Sequence, residues 1–213
     1  MRGLTVAGSG PSVLFATGLY NTMPSTAYSD ILRILRRNLT VWCYDTQRPL
    51  DAISLKRISK YTGIENFGYI GHSSFSSTLF DSNEINQFVL LDPAIFPSGF
   101  NPTTKKMIKN DYVITKPMIL LHAEYTYASP IPFIPQAFRP SIKNVDAQYF
   151  DKVGHADILD DPFADICHSI GIRGHTPQHS SKITRALYRE KLSQKITDFL
   201  VCSNREKKNK HLL

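Results

Sequence analysis

The segment "NFGYIGHSSFSSTLF", Asn66 to Phe80, decides how the chain is read. An apolar run, Phe67 to Gly71, leads into Gly-His-Ser and leaves through small hydroxyl residues. The run is too continuously apolar for an exposed face, so it reads as a central strand of a sheet covered on both sides. Ser73 then falls just past the carboxyl end of that strand, where open parallel sheets collect their ligands and chemistry. Two readings stay open: a nucleophile on a sharp turn, or one polar loop residue among several.

Working outward, five more apolar runs have strand character. They are "SVLFAT" (Ser12 to Thr17), "LTVWCYD" (Leu39 to Asp45), "FVLLD" (Phe88 to Asp92), "MILLHAE" (Met118 to Glu124) and "AQYFDKV" (Ala147 to Val153). Between the first two, Tyr28, Ile31, Leu32 and Leu35 recur at helical spacing, with Arg33, Arg36 and Arg37 mostly off that stripe. A second helix is expected over Pro49 to Tyr61. A last one is expected over about Ile183 to Cys202, with Tyr188, Leu192, Ile196 and Phe199 along one side. This alternation predicts an α/β fold with a mainly parallel sheet and crossover helices. The loop "ASPIPFIPQAFRP" (Ala128 to Pro140) holds too many prolines for a helix or a central strand.

The 213 residues, 42% of them hydrophobic, fit one domain, placed at residues 1–203 with a basic, flexible tail over 204–213. No stretch reaches the ~20 apolar residues of a membrane-spanning helix, and the N-terminus lacks signal-peptide character, so a soluble, intracellular (cytoplasmic) protein is expected. Cys43, Cys167 and Cys202 form neither a disulfide framework nor a metal spacing, which suits reduced thiols. The formal charge of +7 is concentrated after Ala164, with ten Lys/Arg against four Asp/Glu. A solvated helix face with a basic end accounts for it. No nucleic-acid-binding module accompanies the charge, so no specific nucleic-acid partner is expected, and the C-terminus is suited at most to weak contact with an anionic surface. His175-x3-His179 with Cys167 has a metal-like spacing but lies in an irregular loop without a paired cysteine, so no metal or cofactor is expected.

A serine hydroxyl needs a base to take its proton and donors for the oxyanion. Gly71 gives the turn room, whereas Phe75 stands where the second glycine of G-x-S-x-G would fall. A strand-turn-helix elbow would expose Ser73 Oγ and point backbone N–H groups at the reacting carbonyl. Of seven histidines, only His155, in "FDKVGHADILDD", lies on a loop directly after the last strand. His72 sits inside the elbow with its ring turned from Oγ, and His122 is within a strand. Two carboxylates compete for the acid: Asp92, ending the strand after the nucleophile's own strand and helix, and Glu124, ending the next strand. The bland reading of Asp92 is a cap before Pro93, and that of Glu124 is a solvated charge.

The stretch "VGHADILDD" resembles the setting of the catalytic histidine in chlorophyllases. "FVLLDPAIFP" is similar to the Asp-Pro strand end of chlorophyllases and platelet-activating-factor acetylhydrolases, and "PSVLFATGLYN" followed by "YSDILRIL" to the first strand, oxyanion loop and helix of these α/β-hydrolase esterases. The resemblance spans Val13 to Leu200 in the same order and is most specific around the histidine. It implies a reduced α/β-hydrolase fold and a serine esterase or lipase acting on an apolar or lipid-like ester. It implies a catalytic triad of Ser73, Asp92 and His155, with Asp92 and not Glu124 as the acid. Backbone N–H groups of Leu19 and Ser74 would then form the oxyanion hole. Phe75, Phe133, Ile134 and Phe138 would line the substrate pocket. The departures are Phe75 and Ser76 in place of glycines, Thr17 in place of a histidine before Gly18, and the absence of much of the family's N-terminal sheet. They leave an alternative: a catalytically impaired hydrolase fold serving as a binding or scaffold protein.

Overall fold

The structure, a computed structural model, describes residues 4–18, 23–45, 50–76, 79–96, 116–124, 145–169 and 180–210. Its centre is a seven-stranded sheet of β1 (Leu4–Ala7), β2 (Ser12–Ala16), β3 (Thr40–Tyr44), β4 (Phe67–Ser76), β5 (Ile85–Phe96), β6 (Met118–Ala123) and β7 (Asp146–Phe150). The spatial order is β1-β3-β2-β4-β5-β6-β7. Every neighbouring pair is parallel except β1 with β3. The six expected strands are all present. The antiparallel edge strand β1 is an addition, short and half out in solvent, with too little apolar pattern to announce itself.

Strand residues alternate between two cores, as the two-residue period of a strand requires. Val13, Phe15, Val41, Cys43, Ile70, Val89, Leu91, Ile119 and Leu121 face one side, where helix α1 (Ser29–Leu35) and helix α4 (Lys182–Lys210) pack. Leu14, Ala16, Phe67, Tyr69, Phe88, Leu90 and Met118 face the other, against Leu55 and Ile58 of helix α2 (Ala52–Thr62). The α1 stripe is as read from the sequence, with Tyr28, Ile31, Leu32 and Leu35 all buried. On α4 the buried row is Tyr188, Leu192, Ile196 and Leu200, Phe199 being only partly covered. Asp51 caps α2 by accepting the Ser54 N–H at 2.7 Å, and Gly63 ends it in the left-handed region at φ 71°.

Several expectations need correction. Helix α3 (Asp161–Ser169) follows the histidine loop where only a turn was anticipated; Ala164 is its one fully buried residue, and the partly buried Phe163 and Cys167 pack on the core beside it. Helix α4 continues through Lys210, past the end expected at about Cys202. The C-terminal charge is not all solvated face either. Arg185 and Arg189 are buried, Arg185 pairing with Asp161 and Asp165 and Arg189 with Asp161 and Asp30. Finally, no helix stands between β4 and β5 among the described residues. β4 instead continues to Ser76 alongside Ala94–Phe96, and Leu79 and Phe80 are buried on the α2 side of the sheet.

Candidate active site

The β4/β5 ladder breaks at one level. Pairing runs to His72↔Leu91 and resumes at Ser74↔Ala94, so Ser73 on one strand lies opposite Asp92 and Pro93 on the other. Both Ser73 (φ 63°) and Asp92 (φ 44°) sit in the left-handed region, which β-carbon sterics make costly for any residue but glycine. Both are also buried. Gly71 does not supply this turn, as had been expected. A Cβ there would lie 2.5 Å from the ring of Tyr69, so the glycine makes room for an aromatic side chain.

Asp92 lies one step beyond the last β5/β6 pair, Leu91↔Leu121. Its Oδ1 accepts the Ala123 N–H at 2.8 Å and stands 3.7 Å from His122 Nδ1, while its Oδ2 stands 3.6 Å from His155 Nδ1. Burial alone would raise the Asp92 pKa; the two imidazoles outweigh it and hold the carboxyl well below the ordinary carboxylate range. Asp92 is therefore ionised, with one histidine on each oxygen. The His122 ring stacks on that of Tyr149, its register partner on β7, at 5.4 Å between centroids.

His155 arrives on the turn after β7, and this turn is anchored residue by residue. Lys152 takes φ 60°, and its N–H donates to Glu124 Oε2 at 2.6 Å. Glu124 is exposed and serves here as an anchor for the loop, whereas Asp92 is the carboxylate beside the imidazole. Asp157, fully buried, accepts the Gly154 N–H (2.7 Å), His168 Nε2 (2.9 Å) and Ser180 Oγ (2.7 Å). Asp160 accepts the backbone N–H groups of Ser29 and Asp30, capping α1 from across the fold.

The His155 ring stacks on that of His72, 4.6 Å between centroids and 30° apart, so the base candidate rests against the residue that precedes Ser73. Gly18 closes on the same spot. A Cβ there would stand 3.0 Å from Tyr28 Oη, 3.1 Å from His72 Nδ1 and 3.6 Å from Ser73 Cβ. Ser74 and Phe75 have their backbone in β4. Leu19, Phe133, Ile134 and Phe138 lie outside the described residues, as do His175 and His179. Among the described residues no group of three or more His, Cys, Asp or Glu is arranged to hold a metal ion. Cys43 is core, its thiol pushed up to about 11 by burial. No helix among the described residues is long and apolar enough to cross a membrane. Sequence reading passed over His72, Tyr28, His122 and Asp157; the only available signal was His72, as the middle residue of Gly-His-Ser.

The sequence matches no protein-family model and no curated protein. Among solved structures, the chain is similar to the carboxylesterase CesB from Bacillus subtilis at 12% identity, covering 92% of this chain and 86% of that one, with a TM-score of 0.58. It is similar to an alpha/beta hydrolase enzyme from the metagenome of lagoon sediments of Mar Chica, Morocco, at 15% identity, 78% and 93% coverage and a TM-score of 0.56. The epoxide hydrolase CorEH matches at 14% identity, 79% and 93% coverage and a TM-score of 0.53. Identities this low speak to architecture alone. With its strand order, single antiparallel edge strand and helices on both faces, the chain has the α/β-hydrolase fold.

Proposed function

We propose that the chain is a serine hydrolase of carboxylic esters, with Ser73 as nucleophile, His155 as general base and Asp92 as the carboxylate that orients the imidazole. The observation that carries this reading is the buried Asp92 carboxylate 3.6 Å from His155 Nδ1, with the His155 ring stacked beside the strained Ser73 turn. Strain of this kind persists where the surrounding structure enforces it, and it collects at functional sites.

In this mechanism, Ser73 Oγ attacks the ester carbonyl carbon while its proton passes to His155 Nε2. The C–O bond to the alcohol then breaks, the same proton moves to the leaving oxygen, and water repeats the sequence on the acyl-serine. Asp92, 3.6 Å from Nδ1 and acting there through its charge and not through a hydrogen bond, favours the proton on Nδ1 and leaves Nε2 as acceptor. The resemblance assigns the oxyanion donors to the N–H groups of Leu19 and Ser74, each worth about 3 kcal/mol in a site of this type; the Gly18 N–H donates to Tyr28 Oη. The chlorophyllase-like and platelet-activating-factor-acetylhydrolase-like resemblance favours an apolar or lipid-like ester, with Phe75, Phe133, Ile134 and Phe138 lining its pocket.

A fluorophosphonate probe tests the whole assignment: an adduct on Ser73 and turnover of short-chain p-nitrophenyl esters are expected, both lost in Ser73→Ala. One observation favours the second reading, a binding protein of impaired activity. The chain after Ser73 continues as strand and not as helix, so no helix N-terminus lies behind the Ser74 N–H. Under that reading the probe leaves Ser73 unmodified.

A further inference from the structure

We infer that His72 is a positioning residue for the base, seating His155 against the strand that carries the nucleophile. The inference rests on the triad proposed above. Three buried hydrogen bonds carry it: Gly18 N to Tyr28 Oη at 2.8 Å, Tyr28 Oη to His72 Nδ1 at 2.8 Å, and His72 Nε2 to the His155 carbonyl at 3.1 Å.

Their direction follows from chemistry. A backbone amide only donates and a carbonyl only accepts. Tyr28 Oη accepts from Gly18 and turns its own proton toward His72 Nδ1, which leaves the His72 proton on Nε2, aimed at the His155 carbonyl. Burial pushes the Tyr28 hydroxyl well above its ordinary range, so it keeps that proton throughout the working pH range. The line joins four separate pieces of the fold: Gly18 just past the end of β2, the short 3-10 turn Ser25–Tyr28 that leads into α1, the nucleophile strand and the histidine loop. His155 is held twice by His72, through its backbone carbonyl and through the ring stack. A histidine serving only to fill the core would need a partner for each nitrogen. It would not need those partners to be the base residue and a tyrosine that also fixes the loop beside Ser73.

Displacing a reacting group by about 1 Å costs about 100-fold in rate. His72→Phe keeps an aromatic ring but removes both hydrogen bonds; Tyr28→Phe keeps the tyrosine ring contacts with Phe15 and His72 but removes the hydroxyl. His72→Gln restores a donor near the Nε2 position. The expected results are a 10- to 100-fold slower fluorophosphonate labelling of Ser73 in His72→Phe, following about 100-fold per Å, a drop in kcat without a matching rise in KM, and substantial recovery in His72→Gln. A long-range ¹H–¹⁵N spectrum of histidine-labelled protein is expected to show His72 as the Nε2–H tautomer in the wild type and to lose that preference in Tyr28→Phe.

Wild-type labelling rates in both phenylalanine variants, or an Nδ1–H tautomer in the wild type, would overturn the inference. A wild-type chain inert to probe and esters removes the hydrolase reading and the positioning role with it. In that case the spectrum still reports whether the hydrogen-bonded line exists, so the two failures are distinguishable.

Discussion

Replacing Ser73 with glycine should make the protein more stable while ending its reactivity. Ser73 has φ 63° and is almost fully buried. A side chain in that region costs about 1–2 kcal/mol through the clash of Cβ with the following carbonyl. Glycine removes the clash but returns about 0.5–1 kcal/mol through its greater freedom in the unfolded chain. The net gain is about 0.5–1 kcal/mol, or about 1–4 °C in Tm for a domain of this size. Ser73→Ala is the control: it loses the same hydroxyl but keeps the Cβ, so the difference between the two variants isolates the backbone strain. Urea and thermal unfolding of the three proteins give the comparison, and fluorophosphonate labelling should be absent from both variants. A Ser73→Gly variant no more stable than Ser73→Ala would refute the idea that the turn holds serine against its conformational preference. A gain, by contrast, means that the hydroxyl is kept there at a cost to stability, which a purely structural serine has no reason to bear.

The same geometry sets the other expectations. Asp92→Asn should lower kcat by about 10³- to 10⁴-fold by letting His155 take the wrong tautomer, whereas Glu124→Gln should leave esterase turnover close to wild type; the reverse pattern in steady-state assays would exchange their roles. Because the folded Asp92 carboxyl titrates below the unfolded value of about 3.9, its ionised form stabilises the fold fully above about pH 5, and that contribution fades as pH falls toward its folded pKa. The stability gap between wild type and Asp92→Asn, read from urea midpoints, should therefore narrow from pH 6 to pH 3. Asp157→Asn sets an NH₂ group against one of three donors in a buried site. It should lose about 2–3 kcal/mol, seen as a Tm lower by about 4–12 °C, and should slow Ser73 labelling through the displaced His155 loop.

Most of the sheet could be read from the sequence because its strands are buried on both faces and so appear as unbroken apolar runs. β1 could not, since four residues at an edge, with Val6 half exposed, carry no such run. Helix α3 is harder to see because its apolar side is short, Phe163, Ala164 and Cys167, while Asp161 and Asp165 pair with Arg185 and Arg189 of α4. The expected helix after Ser73 was an extension of the strand-turn-helix pattern to a sequence, "SSFSSTLF", that has a glycine nowhere and hydroxyl residues throughout. Ser73, Asp92 and His155 could be singled out as candidates because each follows an apolar run of strand character in the sequence, and a parallel sheet collects such ends on one edge. His72 and Tyr28 could not. Their hydrogen bond joins residues 44 apart, and the bond from His72 to His155 spans 83, separations that no local spacing encodes.

The stretch "VGHADILDD" shows what a family resemblance of this kind transfers. Gly154 and Asp157 bond to one another, Ile158 and Leu159 are core, Asp160 caps α1, and Asp161 pairs with Arg185 and Arg189 of α4. Arg189 also donates to the Leu159 carbonyl at 2.7 Å. Only His155 in this stretch is turned to the edge where Asp92 lies; the other residues fasten its loop to three helices and to itself. Any sheet that must hold an imidazole at that edge faces the same demands on backbone donors, helix capping and core filling. Similarity in these nine residues is thus similarity in the seating of an imidazole. It bears on the placing of His155 beside Asp92 and says nothing of any particular alcohol or acyl group, because every contact of this loop given above is to the fold itself.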